Sequence, residues 1–359
     1  MNSTRKLYLD NIRWMTVAIV VIYHVIYIFN GVQPFGVIGP FREFQIQDGF
    51  QYLVYPWFMA LLFVVSGASA RYYLEHHTTK EFVRDKTRKL LVPSTLGLFV
   101  FHWTTGYYNM AISHAFDTMP DIPSPIKWLI MSVSGIGPLW YIQVLWILSM
   151  LLLPVRKIEK DRLYRLGAKT PVWLLVLFTA LAYGFAQILN TPMITVYRFG
   201  IYGFCFFVGY FCFSHEEVVQ RLSSYWWILG IVAVGLGIAY VGIYFGTNYA
   251  QAPVLNNLLA CVYCWIAILA IFATMKKYGS FSNGFTRWMC KESWGMYIFH
   301  YLPLAACAYY LTNLIPNMPP ILVYLLVGIS AFAGSVLLNE VIGRIPVVRY
   351  CVLGIKKEK

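Results

Sequence analysis

Two ionisable side chains sit in an apolar run that an ordinary membrane anchor would leave uncharged. In residues 7–30, Arg13 stands near the start and His24 well inside. They are eleven residues apart. At helical geometry that spacing brings His24 to within about 20° of the face of Arg13 and ~16 Å further along the axis. Ionisable groups inside a membrane segment are costly, and they face a bundle interior, a cavity or a partner. The pairing of the two on one face favours a functional reading. Simpler readings stand beside this one. Arg13 can snorkel to the headgroups as a positive-inside anchor, and His24 can bond a neighbouring helix.

Three further stretches carry chemistry-bearing side chains. Ser293, Tyr297 and His300 recur at i, i+4 and i+7 and so fall on one helix face. Three polar groups there suit a catalytic constellation or a structural hydrogen-bond network. Arg84, Lys86, Arg88 and Lys89 form a basic cluster just before the apolar run at 90–110. Their charge suits a phosphorylated ligand or anionic lipid. The third stretch is Gly137-Pro138-Leu139-Trp140-Tyr141, whose rings suit an interfacial aromatic belt.

The elements that must position these groups are transmembrane helices. Of 359 residues, 59% are hydrophobic and only 12% charged, far too apolar for a soluble domain. Apolar runs near 7–30, 52–71, 90–110, 136–155, 171–190, 197–213, 225–245, 255–275, 293–312 and 321–340 predict about ten spans. The first reads as a retained helix, because no small-residue cleavage site follows it. Net charge is +13, which invites a nucleic-acid reading, but the cations lie in short loops between spans. With the N-terminus cytosolic, 25 of the 28 Lys and Arg fall on the cytosolic side, from Arg5 to Lys357 and Lys359. Only Arg42, Lys127 and Arg198 fall on the other. That bias predicts an all-α, polytopic transmembrane helical bundle with both termini cytosolic. The chain reads as one domain, 1–359, whose loops are too short for a soluble catalytic unit. Ser66-Gly67 offers small residues for close helix approach. The cysteines lie mostly in apolar stretches and read as small hydrophobes, and no metal site is expected.

In this order and placement the motifs resemble the acyltransferase-3 family of integral membrane acyltransferases, over essentially the whole chain. The Leu9-Asp10-x-x-Arg13 start with His24 resembles the family's Arg-x10-His signature. Ser66-Gly67, the basic run ending in Leu90-Leu91-Val92-Pro93, Leu139-Trp140-Tyr141, and Ser293 through His300 (as Ser-x3-Tyr-x2-His) support it. The family's Arg-x-x-Arg is here Arg84-x3-Arg88 or Lys86-x2-Lys89, and Pro138 stands where a His often precedes Leu-Trp.

The resemblance implies a multi-pass protein of the bacterial cytoplasmic membrane that moves an acyl group, acetyl by default, from cytosolic acyl-CoA to a hydroxyl of a surface or periplasmic glycan or glycolipid. It implies His24 as base or acyl carrier, with Ser293, Tyr297 and His300 beside it. It places acyl-CoA against Arg13, Arg71, Arg84, Lys86, Arg88 and Lys89, and the acceptor near Trp140 and Tyr141. Membrane lipid is an expected partner and nucleic acid is not. The competing reading is a transporter or flippase using the same polar groups as a path, though no repeated halves are visible.

Overall fold

The computed structural model describes residues 6–32, 36–191 and 196–356. Arg5, Lys357 and Lys359 of the charge tally lie outside these. Among the described residues every regular element is a helix, and there is one isolated bridge, Asn190 to Arg198. In order the helices are α1 (Leu7–Tyr27), α2 (Gly49–Val54), α3 (Phe58–His76), α4 (Thr79–Lys86), α5 (Trp103–Ile112), α6 (Ser124–Ser134), α7 (Trp140–Glu159), α8 (Arg162–Gly167) and α9 (Val172–Ala186). There follow α10 (Phe199–Val208), α11 (Glu216–Ser223), α12 (Trp226–Tyr244), α13 (Ala252–Leu255), α14 (Leu258–Tyr278), α15 (Gly284–Phe299), α16 (Tyr301–Leu314), α17 (Pro320–Arg344) and α18 (Pro346–Leu353).

Among the described residues, six helical stretches are long and apolar enough to cross a membrane, where the hydropathy pattern predicts about ten. The other four apolar runs are short or interrupted. Val172–Ala186 and Phe199–Phe213 are apolar but shorter. The run at 90–110 changes to π-helical turns at Thr87–Leu91 and Leu98–His102, with Pro93 between them. The run at 293–312 breaks at His300, between α15 and α16. On α12 and α17, Ile231, Val234, Ile238, Leu325, Ile329 and Leu337 turn outward. Apolar side chains on the outer face are what lipid requires.

The chain divides into two compact units. The first gathers residues up to Thr16, Tyr52–Val83 and Ile147–Lys291. Its tightest packing joins α3 to α10 and the turn that follows. A Cβ on Gly67 would lie 1.9 Å from the Phe206 carbonyl oxygen, and one on Gly209 2.2 Å from that of Val64. The two backbones therefore touch, as the small residues at 66–67 predict. Trp265 of α14 is fully buried and donates to the Leu175 carbonyl at 2.7 Å. Asn11 ties the first turns of α1 to the Gly279 and Phe281 carbonyls at 2.7 and 2.9 Å.

The second unit gathers Val17–Gln51, Arg84–Trp146 and the chain from Glu292 onward. Its core holds Val21 and Val25 of α1, with Ile28 and Phe29 just past its end, against Tyr301, Leu304, Ala305 and Ala308 of α16 and Val323, Val327 and Ala331 of α17. Helices α5 and α6 meet through Gly106 and Gly135, each within about 2 Å, at its missing Cβ, of a carbonyl on the other strand of the hairpin. The seven cysteines are all free thiols, and four of them (Cys205, Cys212, Cys261 and Cys264) are buried.

Candidate functional site

The break at His300 is the local event that builds the site. Pro303 has no N–H for the Phe299 carbonyl, and its ring crowds that carbonyl, so a straight helix cannot run through. The turn is held from the side. Ser330 of α17 donates to the Pro303 carbonyl at 2.9 Å, and Gly334 leaves the room that the proline ring occupies. At the break, Nδ1 of the fully buried His300 lies 2.9 Å from the Met296 carbonyl and 3.0 Å from that of Tyr297.

His300 Nε2 then meets His24. It lies 3.1 Å from His24 Nδ1, across 276 residues of sequence. His24 Nδ1 is also 2.8 Å from the Val20 carbonyl one turn earlier. A carbonyl oxygen only accepts, so each nitrogen facing one carries the hydrogen. His300 is thus assigned Nδ1–H, with a lone pair on Nε2. His24 is also Nδ1–H, and its hydrogen is shared between Val20 and His300. The lone pair of His24 is left on Nε2, which has no hydrogen-bond partner among the described residues. The half-buried His24 ring is framed by Tyr23, Tyr27 and Tyr301, the last edge-on at 5.3 Å. An oriented imidazole with one uncommitted nitrogen can take a proton from a hydroxyl or accept an acyl group.

The remaining residues of the same face support this pair. Tyr297 is buried and donates its hydroxyl to the Pro138 carbonyl, and its ring lies 5.6 Å from Tyr141. Ser293 is buried one turn before it. Pro138, Leu139 and Tyr141 are buried, and Trp140, half-buried, leans edge-on against Tyr141. So the 137–141 stretch joins the 293–300 stretch, a link that neither motif announces alone.

Both units carry cations of the predicted site. In the first unit Arg13 reaches Asp10 at 3.2 Å and Ser69 at 2.9 Å. It lines a recess of about 490 Å³ with Lys6, Tyr72, Glu75, Tyr164 and His215. Asp10, Glu216 and Glu217 also line it, so carboxylates outnumber cations there. Lys6 is paired with Glu216 at 2.8 Å. Burial pushes the His215 imidazole below its ordinary range and the Tyr164 hydroxyl above its own, so both are neutral at pH 7.

Arg71 is held on every side. It bonds Asp161 at 2.7 Å and Glu75 at 3.0 Å, and its guanidinium lies 3.5 Å over the Tyr164 ring. Asp161 presents its carboxylate from a left-handed turn, φ 59°. In the second unit Arg84 and Lys89 are exposed, Lys86 and Arg88 are half-buried, and Arg88 pairs with Asp85 at 3.1 Å.

The residues that sequence reasoning passed over are Pro303, which sets the break, and Tyr301, which walls the imidazole. Only Pro303 had a visible signal, a proline ten residues inside an apolar run. No group of three metal-ligating side chains occurs among the described residues.

No curated protein and no solved structure matches the chain. The acyltransferase-3 family model, described as an acyltransferase domain, matches residues 6–340, from the residue before α1 to within α17. Across that length it takes in His24, the basic cluster and the broken helix alike, and the chain therefore belongs to the acyltransferase-3 family of membrane acyltransferases.

Proposed function

We propose that the protein is an acyl-CoA-dependent O-acyltransferase of the bacterial cytoplasmic membrane, with ten spans and both termini cytosolic. It moves an acyl group, acetyl by default, to a hydroxyl of a glycan or glycolipid on the outer face. The observation that carries this reading is the 3.1 Å contact between His300 Nε2 and His24 Nδ1, which leaves His24 Nε2 with its lone pair. In the base mechanism Nε2 takes the acceptor's hydroxyl proton. The oxygen attacks the thioester carbonyl, the carbon–sulfur bond breaks, and the CoA thiolate recovers the proton from the imidazolium. In the carrier mechanism Nε2 attacks the thioester carbonyl and the carbon–sulfur bond breaks to release CoA thiolate. The acceptor oxygen then attacks the acyl-imidazolium, the carbon–nitrogen bond breaks to restore the neutral imidazole, and the hydroxyl proton goes to the thiolate. Family membership does not favour the transporter reading.

Arg13, eleven residues before His24 on α1, lies beside a recess suited to part of the nucleotide end of acyl-CoA. Its carboxylates would accept from ribose hydroxyls and the adenine amine, and Arg13 would meet a phosphate. Arg84, Lys86, Arg88 and Lys89 are the second group offered to phosphate. Arg13→Ala, and separately the pair Arg84→Ala with Arg88→Ala, should each raise KM for acetyl-CoA about tenfold, the weight of one charge-assisted hydrogen bond. Steady-state CoA release by detergent-purified protein reads this. Unchanged KM in both would return these cations to a topological role.

A further inference from the structure

The second unit holds a recess that the acyl-transfer chemistry does not use. It lies where α5 and α16 end, encloses about 310 Å³, and is lined by Tyr107, Phe116, Tyr309, His114, Asp117 and Asn313 among others. We infer that it is a sugar-binding subsite for the acceptor, set apart from the reacting hydroxyl. This rests on the reading of the acceptor as a glycan.

The lining mixes ring faces with small polar groups. Pyranoses present an apolar C–H face and a rim of hydroxyls, so they need an aromatic wall together with a carboxylate or amide. Tyr107, Phe116 and Tyr309 supply the walls, and Asp117, His114 and Asn313 supply donors and acceptors. The volume is at the small end for a ligand cleft, enough for a sugar or two and not for a long hydrocarbon chain. Its lining includes a carboxylate and no Lys or Arg, which disfavours a phosphate headgroup and suits a neutral polyol.

The ring walls pack on one another. Tyr107, Tyr108, Tyr309 and Tyr310 form a chain of ring contacts at 5.2 to 6.0 Å. His114, at φ 53°, turns the chain so that its Nδ1 lies 3.1 Å from Asp117. Lys127 sits over the far ring, 5.9 Å from the centre of Phe116, and reaches the Pro120 carbonyl.

The position along α16 sets what the recess can do. Tyr301 packs on His24, and Tyr309 is eight residues further on, ~12 Å along the helix. A sugar against Tyr309 is therefore not the one being acylated. The acceptor must reach both places, so it is an oligosaccharide or polymer, and binding at this remote site supplies energy for positioning the hydroxyl.

The test uses two exposed wall residues, Tyr107→Ala and Asp117→Ala, with the wild type. Saturation-transfer NMR on purified protein would scan malto-, cello- and chito-oligosaccharides of one to six units. We expect wild type to bind one series more tightly with length, and each variant to bind it about tenfold more weakly. KM for that acceptor should rise while acceptor-independent CoA release stays unchanged. Wild type that binds none of the three series, or variants that bind as wild type does, would overturn the subsite. Sugar binding without any CoA release would leave the subsite standing and remove the acyl-transfer reading instead.

Discussion

A His24→Ala protein is expected to fold normally, to bind acetyl-CoA, and to release CoA at least about a hundredfold more slowly, the usual share of a positioned base. The fold survives because the ring is only half-buried and the aromatic side chains that frame it are held by their own helices. Val20 loses a side-chain donor but keeps its place in the helix, and alanine is the best residue for a helix interior. The chemistry fails because the one nitrogen with an uncommitted lone pair is gone. His300 cannot stand in. Its Nδ1 is bound to two carbonyls, and its Nε2 is aimed at the vacated ring. Thermal unfolding of purified protein checks the first half and stopped-time CoA release the second. A folded variant turning over near the wild-type rate would remove His24 from the reaction.

His300 carries the second large effect, and it acts through His24. Without it, Val20 alone holds His24 Nδ1, and the ring can turn its lone pair away from a substrate. His300→Ala should lower kcat on the order of a hundredfold, as loss of an orienting partner does elsewhere, and leave KM for acetyl-CoA unchanged. His300→Gln should recover part of that, since its amide oxygen can accept the His24 Nδ1 hydrogen. A purely structural His300 would give a different record: less folded protein, the same pH–rate profile per folded molecule, and no gain from glutamine. An acidic limb that shifts in His300→Ala is the signature of the positioning role.

The apolar runs and the charge bias made the helical, membrane-spanning character legible from the residues alone, because lipid imposes those patterns on any spanning helix. Interruptions were not legible. A hydropathy window averages over Pro93 and Pro303, so two runs that read as single spans are bent or broken. The polar face of Ser293, Tyr297 and His300 was visible from helical spacing, and so was the depth of His24 on α1. Their meeting was not, since 276 residues of sequence carry no distance. Arg71 shows the same limit. The family resemblance offers it to acyl-CoA. Its carboxylate partner Asp161 comes from a left-handed turn 90 residues away that no pattern foretells.

The proline at 303 sets activity and stability against each other. Pro303→Ala would restore an N–H for the Phe299 carbonyl, let α15 and α16 join, and raise helix propensity by about 3 kcal/mol at that position. The melting temperature of purified protein is expected to rise or hold. Straightening the bend at Phe299 would re-aim the His300 ring, and its Nε2 would lose the 3.1 Å approach to His24 Nδ1. A screen for a sturdier protein would therefore select this substitution, and the same variant would transfer acyl groups poorly. The helix is held short of its most regular form, and that irregularity is what keeps one imidazole facing another.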